Sequence, residues 1–217
     1  MRARTIAIGD IHGCAAALAA LMAAIKPTDQ DTLVFLGDYI DRGPDSRGVI
    51  EQILGLRKEC RVVPLLGNHE IMFLGSLERG TDGAAWLQYG GRETLASYNW
   101  AIENIPANHL EFLKGLQRFH ETPTHFFVHA NYIADIPFAE QPDYALFWEH
   151  LFAALPAPHE SGKIAVVGHT AQRTAEIMDL GHVLCIDTYC HGGGWLTALD
   201  VDTRDIWQAD KQGTMRS

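Results

Sequence analysis

The chain has 217 residues, 47% of them hydrophobic and 20% charged, with a formal net charge of -10. That length and composition suit one globular core. An acidic balance lacks the cationic footprint that non-specific nucleic-acid or membrane-surface binding needs, and no apolar run approaches the ~20 residues of a membrane span. Neither nucleic acid nor membrane is an expected partner. Phosphate chemistry stays open, because bound cations reverse the local field.

Thr5-Ile6-Ala7-Ile8 reads as a short buried strand. Arg2 and Arg4 lie directly before it, leaving no room for a signal peptide's apolar core. The four cysteines, Cys14, Cys60, Cys185 and Cys190, show neither CxxC nor zinc-finger spacing. A cytoplasmic chain with reduced thiols is the expectation.

After the first strand come Gly9-Asp10-Ile11-His12-Gly13 and a helix rich in Ala and Leu from Ala15 to Ile25, broken by Pro27. Leu33 to Leu36 is a second strand, opening into Gly37-Asp38-Tyr39-Ile40-Asp41-Arg42-Gly43. Ser46 is placed to cap a helix through Val49, Ile50, Ile53, Leu54 and Leu56, which share a helical face. Val62 to Leu66 is a third strand, leading to Gly67-Asn68-His69-Glu70. Its Pro64 suits an edge or a bulge. This β-α-β-α-β order implies a parallel sheet with right-handed crossovers, and ligands of such sheets sit at the carboxyl ends of the strands.

From about 71 to 124 the pattern turns helical, with a stretch at Glu111 to Phe119 and the aromatics Trp86, Tyr89, Tyr98 and Trp100. A helical cap inserted into a single domain of residues 1–217 is expected. Apolar strands then return: Phe126 to Val128 runs into His129, Ile164 to Val167 into Gly168-His169-Thr170, and Val183 to Ile186 into Asp187. Trp195 to Val201 and Ile206-Trp207 read as a hairpin, so the second half is expected to be more antiparallel.

Five strand ends thus carry metal-compatible side chains. A lone Asp-x-His reads as a satisfied turn; the joint occurrence points to two metal ions and phosphoester hydrolysis. Asp10 and His12 can face one ion from alternate positions, Asp38 is the natural bridge, and Asn68, His129 and His169 can complete a second ion. Such mixed ligands suit Mn, Fe or Zn better than Ca. His69, directly after Asn68, projects elsewhere and is placed as a general acid, with Asp41 as the carboxylate that raises its pKa. Arg42 can hold phosphate bidentately, and Asn68 is a further substrate contact. His191, in a glycine-rich loop, is a weaker candidate for supporting the site. The remaining histidines and the cap aromatics read as surface or core residues.

GDIHG, GDYIDRGPDS, GNHE, the strand ending in His129 and GHT resemble the phosphoprotein phosphatase family of calcineurin-like metallophosphoesterases, from about Ile6 to Thr170. The resemblance implies a four-layer α/β/β/α sandwich around a dinuclear centre. It implies Asp10, His12 and Asp38 on one metal, and Asp38, Asn68, His129 and His169 on the other. It also implies His69 with Asp41 as the acid pair, and Arg42 on phosphate. Two branches compete, the bacterial-type serine/threonine protein phosphatases and the symmetrical diadenosine tetraphosphatases. The second usually has alanine where Asp41 stands, so Asp41, with Gly90-Gly91 and Thr94, favours the first. Two departures stand out. His129-Ala130-Asn131 replaces the common His-Gly-Gly. Trp148 is followed by Glu149 and His150, where bacterial members often carry a phosphate-binding arginine, leaving Arg92 and Arg173 as substitutes. The expectation is a cytoplasmic, two-metal phosphomonoesterase of the bacterial serine/threonine type, Mn first among its metals. Its substrate would be a phosphorylated protein or a small phosphoester, attacked in line by a metal-bridging hydroxide. A dinucleoside polyphosphate hydrolase and a non-catalytic scaffold are the alternatives.

Overall fold

The computed structural model describes residues 2–79 and 83–217; positions 80–82 of the expected cap lie outside them. Two five-stranded sheets face each other. Three parallel strands, β1 (Thr5–Ile8), β2 (Thr32–Phe35) and β3 (Arg61–Pro64), build three-fifths of the first, linked by helices α1 (Ala15–Ile25) and α2 (Ser46–Leu56). Strands β4 (His120–Glu121), β5 (His125–Phe127), β6 (Ile164–Val167), β7 (Met178–Asp179) and β8 (Val183–Cys185) form the second, in the order β4-β5-β6-β8-β7. A final hairpin, β9 (Leu196–Asp200) and β10 (Ile206–Ala209), returns to the first sheet and pairs antiparallel with β1, giving β10-β9-β1-β2-β3. The antiparallel character expected of the second half is therefore divided. The hairpin belongs to the first sheet, and the second has a parallel core, β5-β6-β8, with antiparallel strands only at its edges.

The period of two along each strand sorts side chains between layers. Ile6, Ile8, Leu33 and Phe35 turn outward to a core shared with α1 and α2. Ala7, Val34, Phe127, Val166 and Leu184 turn inward to a second core between the sheets. Phe126, Val128, Ala165 and Val167 turn outward on the far side, under the short helix α7 (Asp143–Phe147) and the irregular chain around it. The architecture is the four-layer α/β/β/α sandwich, with a thin fourth layer.

Helices α3 (Asn68–Arg79), α4 (Gly83–Trp86), α5 (Arg92–Ser97) and α6 (Ala107–Lys114) follow β3. Phe73, Trp86, Tyr98, Phe112 and Leu113 join the outer core of the first sheet, so these helices continue the α1–α2 layer. Helix α6 stops at Lys114, with Gly115 as its C-cap, short of the expected Phe119. The chain from there runs extended beside β3, where Gln117 exchanges main-chain hydrogen bonds with Pro64 and Leu66. Pro64 indeed lies on an edge strand. The α2 cap is Asp45, whose side chain accepts from Gly48 N at 2.7 Å. Ser46 is the first helical residue, and its hydroxyl turns to the Asp41 amide.

Candidate active site

The motifs end strands of both sheets, and the loops they open cross the facing ends. His12, Asp38, Asp41, Arg42 and His169 all have φ between +45° and +72°. Non-glycine residues adopt that region at a cost of about 1–3 kcal/mol each, so the surrounding packing forces them into it.

Two donor groups form, His12 with Asp38 and His69, and Asp38 with His129 and His169; within each, one donor atom per residue lies within 4.8 Å of the others. Asp38 belongs to both, the position of a bridge. His129 lies 3.5 Å, and His12 3.4 Å, from the two oxygens of this carboxylate. Asp10 stands outside these groups. Its Oδ2 accepts the His169 amide at 2.9 Å, and its Oδ1 is buried with no partner among the described residues. Gly168 makes room for it, since a Cβ there would lie 2.0 Å from Asp10 Oδ1. His69, expected to face elsewhere, instead turns Nε2 toward the donors, 3.9 Å from Asp38 Oδ2.

Main-chain carbonyls fix the imidazoles. His12 Nδ1 donates to Ile40 O at 2.9 Å, His129 Nδ1 to Leu36 O at 2.8 Å, and His169 Nε2 to Trp148 O at 3.2 Å. In a neutral ring the other nitrogen then carries a lone pair. Those of His129 and His169 point at Asn68 Oδ1, 3.0 and 3.1 Å away. Lone pairs facing an oxygen repel, and a cation among them turns repulsion into ligation. The orphaned Asp10 Oδ1 calls for the same partner, because an unsatisfied buried polar atom costs about 1–3 kcal/mol. The donors present therefore fit divalent cations.

Electrostatics agree. Burial pushes the Asp10 carboxyl well above its usual range, and Asp187 and Asp38 push it further. Burial would raise Asp38 too, but the imidazoles of His129, His69, His12 and His169 outweigh it and hold it low. Burial lowers His12 and His129, and brings His169 down to about 3. Neutral imidazole is the form that ligates a cation, and burial favours it in these rings.

Behind the donors, Glu70 ties two motifs together. Its buried carboxylate accepts from the amides of Asp38 at 3.0 Å, Tyr39 at 2.8 Å, Ile40 at 3.4 Å and Gly67 at 3.1 Å. Asp41 does comparable work for His69. It accepts from His69 Nδ1 at 2.7 Å, from Trp86 Nε1 at 2.9 and 3.0 Å, and from Thr94 Oγ1 at 2.7 Å. His69 Nε2 is buried and unpartnered among the described residues.

The profile of the calcineurin-like phosphoesterase family matches residues 3–203. The chain belongs to the calcineurin-like phosphoesterases. A 69-residue stretch is 42% identical to a symmetrical bis(5'-nucleosyl)-tetraphosphatase of Burkholderia thailandensis, covering 32% of this chain and 24% of that protein. An 85-residue stretch is 40% identical to serine/threonine-protein phosphatase 1 of Salmonella typhimurium, covering 39% of this chain and 37% of that protein. The matches thus span about a quarter to just over a third of these relatives' own lengths. The crystal structure of a proposed diadenosine tetraphosphatase shares the fold, with a TM-score of 0.73 and 23% identity over 95% of this chain and 92% of that one.

The donor cluster opens into a cleft of about 930 Å³. Among the described lining residues Asp38 is the one carboxylate, against Arg42 and Arg173, although the chain as a whole carries a formal net charge of -10. Arg42 Nη1 donates to His12 Nε2 at 2.9 Å. Arg92 is not among the lining residues. His150 is, its ring stacked on His169 at 4.3 Å, so the position where an arginine was missed still faces the site. His191 lines the cleft edge-on to His12. The rim is aromatic, with Tyr89 57%, Trp148 42% and Phe152 69% exposed. The cap aromatics therefore divide: Trp86 and Tyr98 are core, and Tyr89 faces the cleft. All four cysteines are free and buried, and no helix among the described residues is long and apolar enough to cross a membrane.

Proposed function

We propose that the cleft hydrolyses phosphomonoesters with an alkoxide leaving group, as in a phosphorylated serine or threonine of a protein. The carrying observation is the buried Asp41–His69 pair, 2.7 Å apart and braced by Trp86 and Thr94. An alkoxide is a poor leaving group and needs a proton in the transition state, whereas the phosphate leaving group of an anhydride does not. Asp41 fixes the His69 ring through Nδ1, and Nε2, the nitrogen that would give this proton, faces the cleft side of the cluster.

Asp10, His12 and Asp38 would hold one divalent ion. Asp38, Asn68, His129 and His169 would hold a second. Mn, Fe and Zn suit these nitrogen and oxygen donors. When bound, such ions neutralise phosphoryl oxygens and acidify water. Arg42 binds two oxygens of the phosphoryl group with its planar fork, and the Asn68 amide offers a further contact. His69 Nε2 passes its proton to the departing oxygen while Asp41 keeps the ring oriented. Water is the nucleophile in this reading. The one aliphatic hydroxyl among the described lining residues, on Thr170, is turned away to accept Leu151 N at 2.9 Å.

The aromatic rim and the size of the cleft favour a second reading, hydrolysis of dinucleoside polyphosphates, whose bases could stack on Tyr89, Trp148 or Phe152. Likeness to tetraphosphatases supports it. A phosphoserine/phosphothreonine peptide and diadenosine tetraphosphate, each assayed with Mn²⁺ and with chelator, separate the two. Metal-dependent peptide turnover that disappears in Asp38→Asn is the expected result. Preferential cleavage of the dinucleotide would transfer the assignment to the second reading.

A further inference from the structure

The two cleft arginines are engaged differently. Arg42 touches the donor cluster directly, through His12. Arg173 is linked to it through two further rings. The His12 ring meets His191 edge-on at 4.7 Å, His191 meets Tyr189 at 4.9 Å, and the Arg173 guanidinium lies over the Tyr189 ring at 5.7 Å. Tyr189 is itself in a left-handed conformation, φ +64°, at the start of the short turn that presents His191. Arg173 is exposed, and no ion pair ties it to a carboxylate among the described residues, unlike Arg4, Arg47 or Arg216. Stacking on Tyr189 orients the guanidinium without consuming its donors.

Arg42 is engaged at the donor cluster, whereas Arg173 reaches that cluster only by way of the Tyr189 and His191 rings. We propose that Arg173, shelved on Tyr189, binds a second phosphoryl group of the substrate, beyond the one being cleaved. The preferred substrates would then carry two or more phosphoryl groups. Two sources supply that chemistry, a peptide with neighbouring phosphorylated residues and an oligophosphate chain. A guanidinium fork matches either bidentately. The assignment rests on the cleft being a phosphoester site, and goes beyond that reading by naming what lies outside the scissile group.

Inhibition of p-nitrophenyl phosphate hydrolysis by inorganic tripolyphosphate and by orthophosphate tests it. In Arg173→Ala the inhibition constant for tripolyphosphate should rise about tenfold or more relative to that for orthophosphate. Arg173→Lys should restore only part of the difference, since it keeps the charge and loses the fork. Both constants rising together, as expected for Arg42→Ala, would overturn the proposal by placing Arg173 on the scissile group. Neither moving would overturn it as well. KM for a doubly against a singly phosphorylated peptide, and for diadenosine tetraphosphate, then identifies the source by which preference Arg173→Ala abolishes. Failure of the peptide reading would show as absent peptide turnover, leaving the inhibitor ratio to judge Arg173 independently.

Discussion

At the scale of single residues, His69 carries the sharpest expectation. Removing a general acid costs about 10²–10⁴-fold when the leaving group needs protonation. His69→Asn should therefore lower kcat by that order on a phosphoserine peptide, and by far less on p-nitrophenyl phosphate, whose phenolate leaves unaided. Equal losses on both would show His69 serving as a ligand, which its nearness to Asp38 and His12 permits. Glu70 makes a different kind of claim. Burial, then Asp38 and Asp41, pushes its carboxyl well up, yet four amides converge on it. Glu70→Gln replaces one accepting oxygen with a donor facing amides, and should cost about 1–3 kcal/mol in denaturant unfolding. A change below about 0.5 kcal/mol would mean the loops hold themselves. The sequence shows Glu70 inside a motif but gives no hint of its duty, because its partners Asp38 and Tyr39 lie some thirty positions away.

At the scale of elements, the helical layer after β3 acts on the site through Asp41. Trp86 and Thr94, from α4 and α5, reach it across 45 and 53 positions of chain. Trp86→Phe keeps most of the buried ring and deletes only the N–H. The expected result is a loss of peptide turnover greater than any loss of p-nitrophenyl phosphate turnover, because a less firmly held Asp41 orients His69 less well. Uniform losses would point to general damage. This layer also marks where sequence reading runs out. Strands, both early helices and the five donor-bearing strand ends are legible because each is written in a few consecutive residues, where apolar runs stop at glycine or polar side chains. Trp86 reads as a core aromatic and is one, and its second use by Asp41 has no local signature. His150 likewise gives no sign of stacking on His169. The misplaced cap of α2 has a simpler cause: Asp45 and Ser46 are both good cap residues, and the Asp41 amide draws Ser46 away.

At the scale of the whole molecule, the donors come from both sheets. Asp10, Asp38 and Asn68 follow β1, β2 and β3, whereas His129 and His169 follow β5 and β6. Bound ions would clamp the layers. With free metal at about 100 times its Kd the gain is ~2.7 kcal/mol, or roughly 5–10 °C in Tm for a domain of this size. Chelator should remove that increment, and Asp38→Asn should abolish it; a Tm indifferent to Mn²⁺ and chelator would contradict the cation fit. At the opposite end of the first sheet, Asp31 accepts from Arg4 Nε at 3.0 Å and Nη2 at 2.7 Å, and from Thr28 N at 2.8 Å. The Arg4 hydrogen bond, against some desolvation, holds its carboxyl well below the usual range. A depressed carboxyl contributes stability above its unfolded pKa of about 3.9, and the contribution fades as pH falls through the folded value. Asp31→Asn should therefore lower stability at neutral pH, with the difference from the parent shrinking below about pH 4 in urea melts.

The pairing of β1 with β9 has a consequence for how the protein comes into being. Ile6 lies opposite Asp200, so β1 leaves the ribosome with an open flank that stays unpaired until β9 has followed. Until then its exposed edge can recruit the wrong neighbour, and closing so long a loop is slow. Nascent chains halted before β9 should accordingly depend on chaperones and aggregate without them, although every proposed ligand and both cleft arginines have already been made.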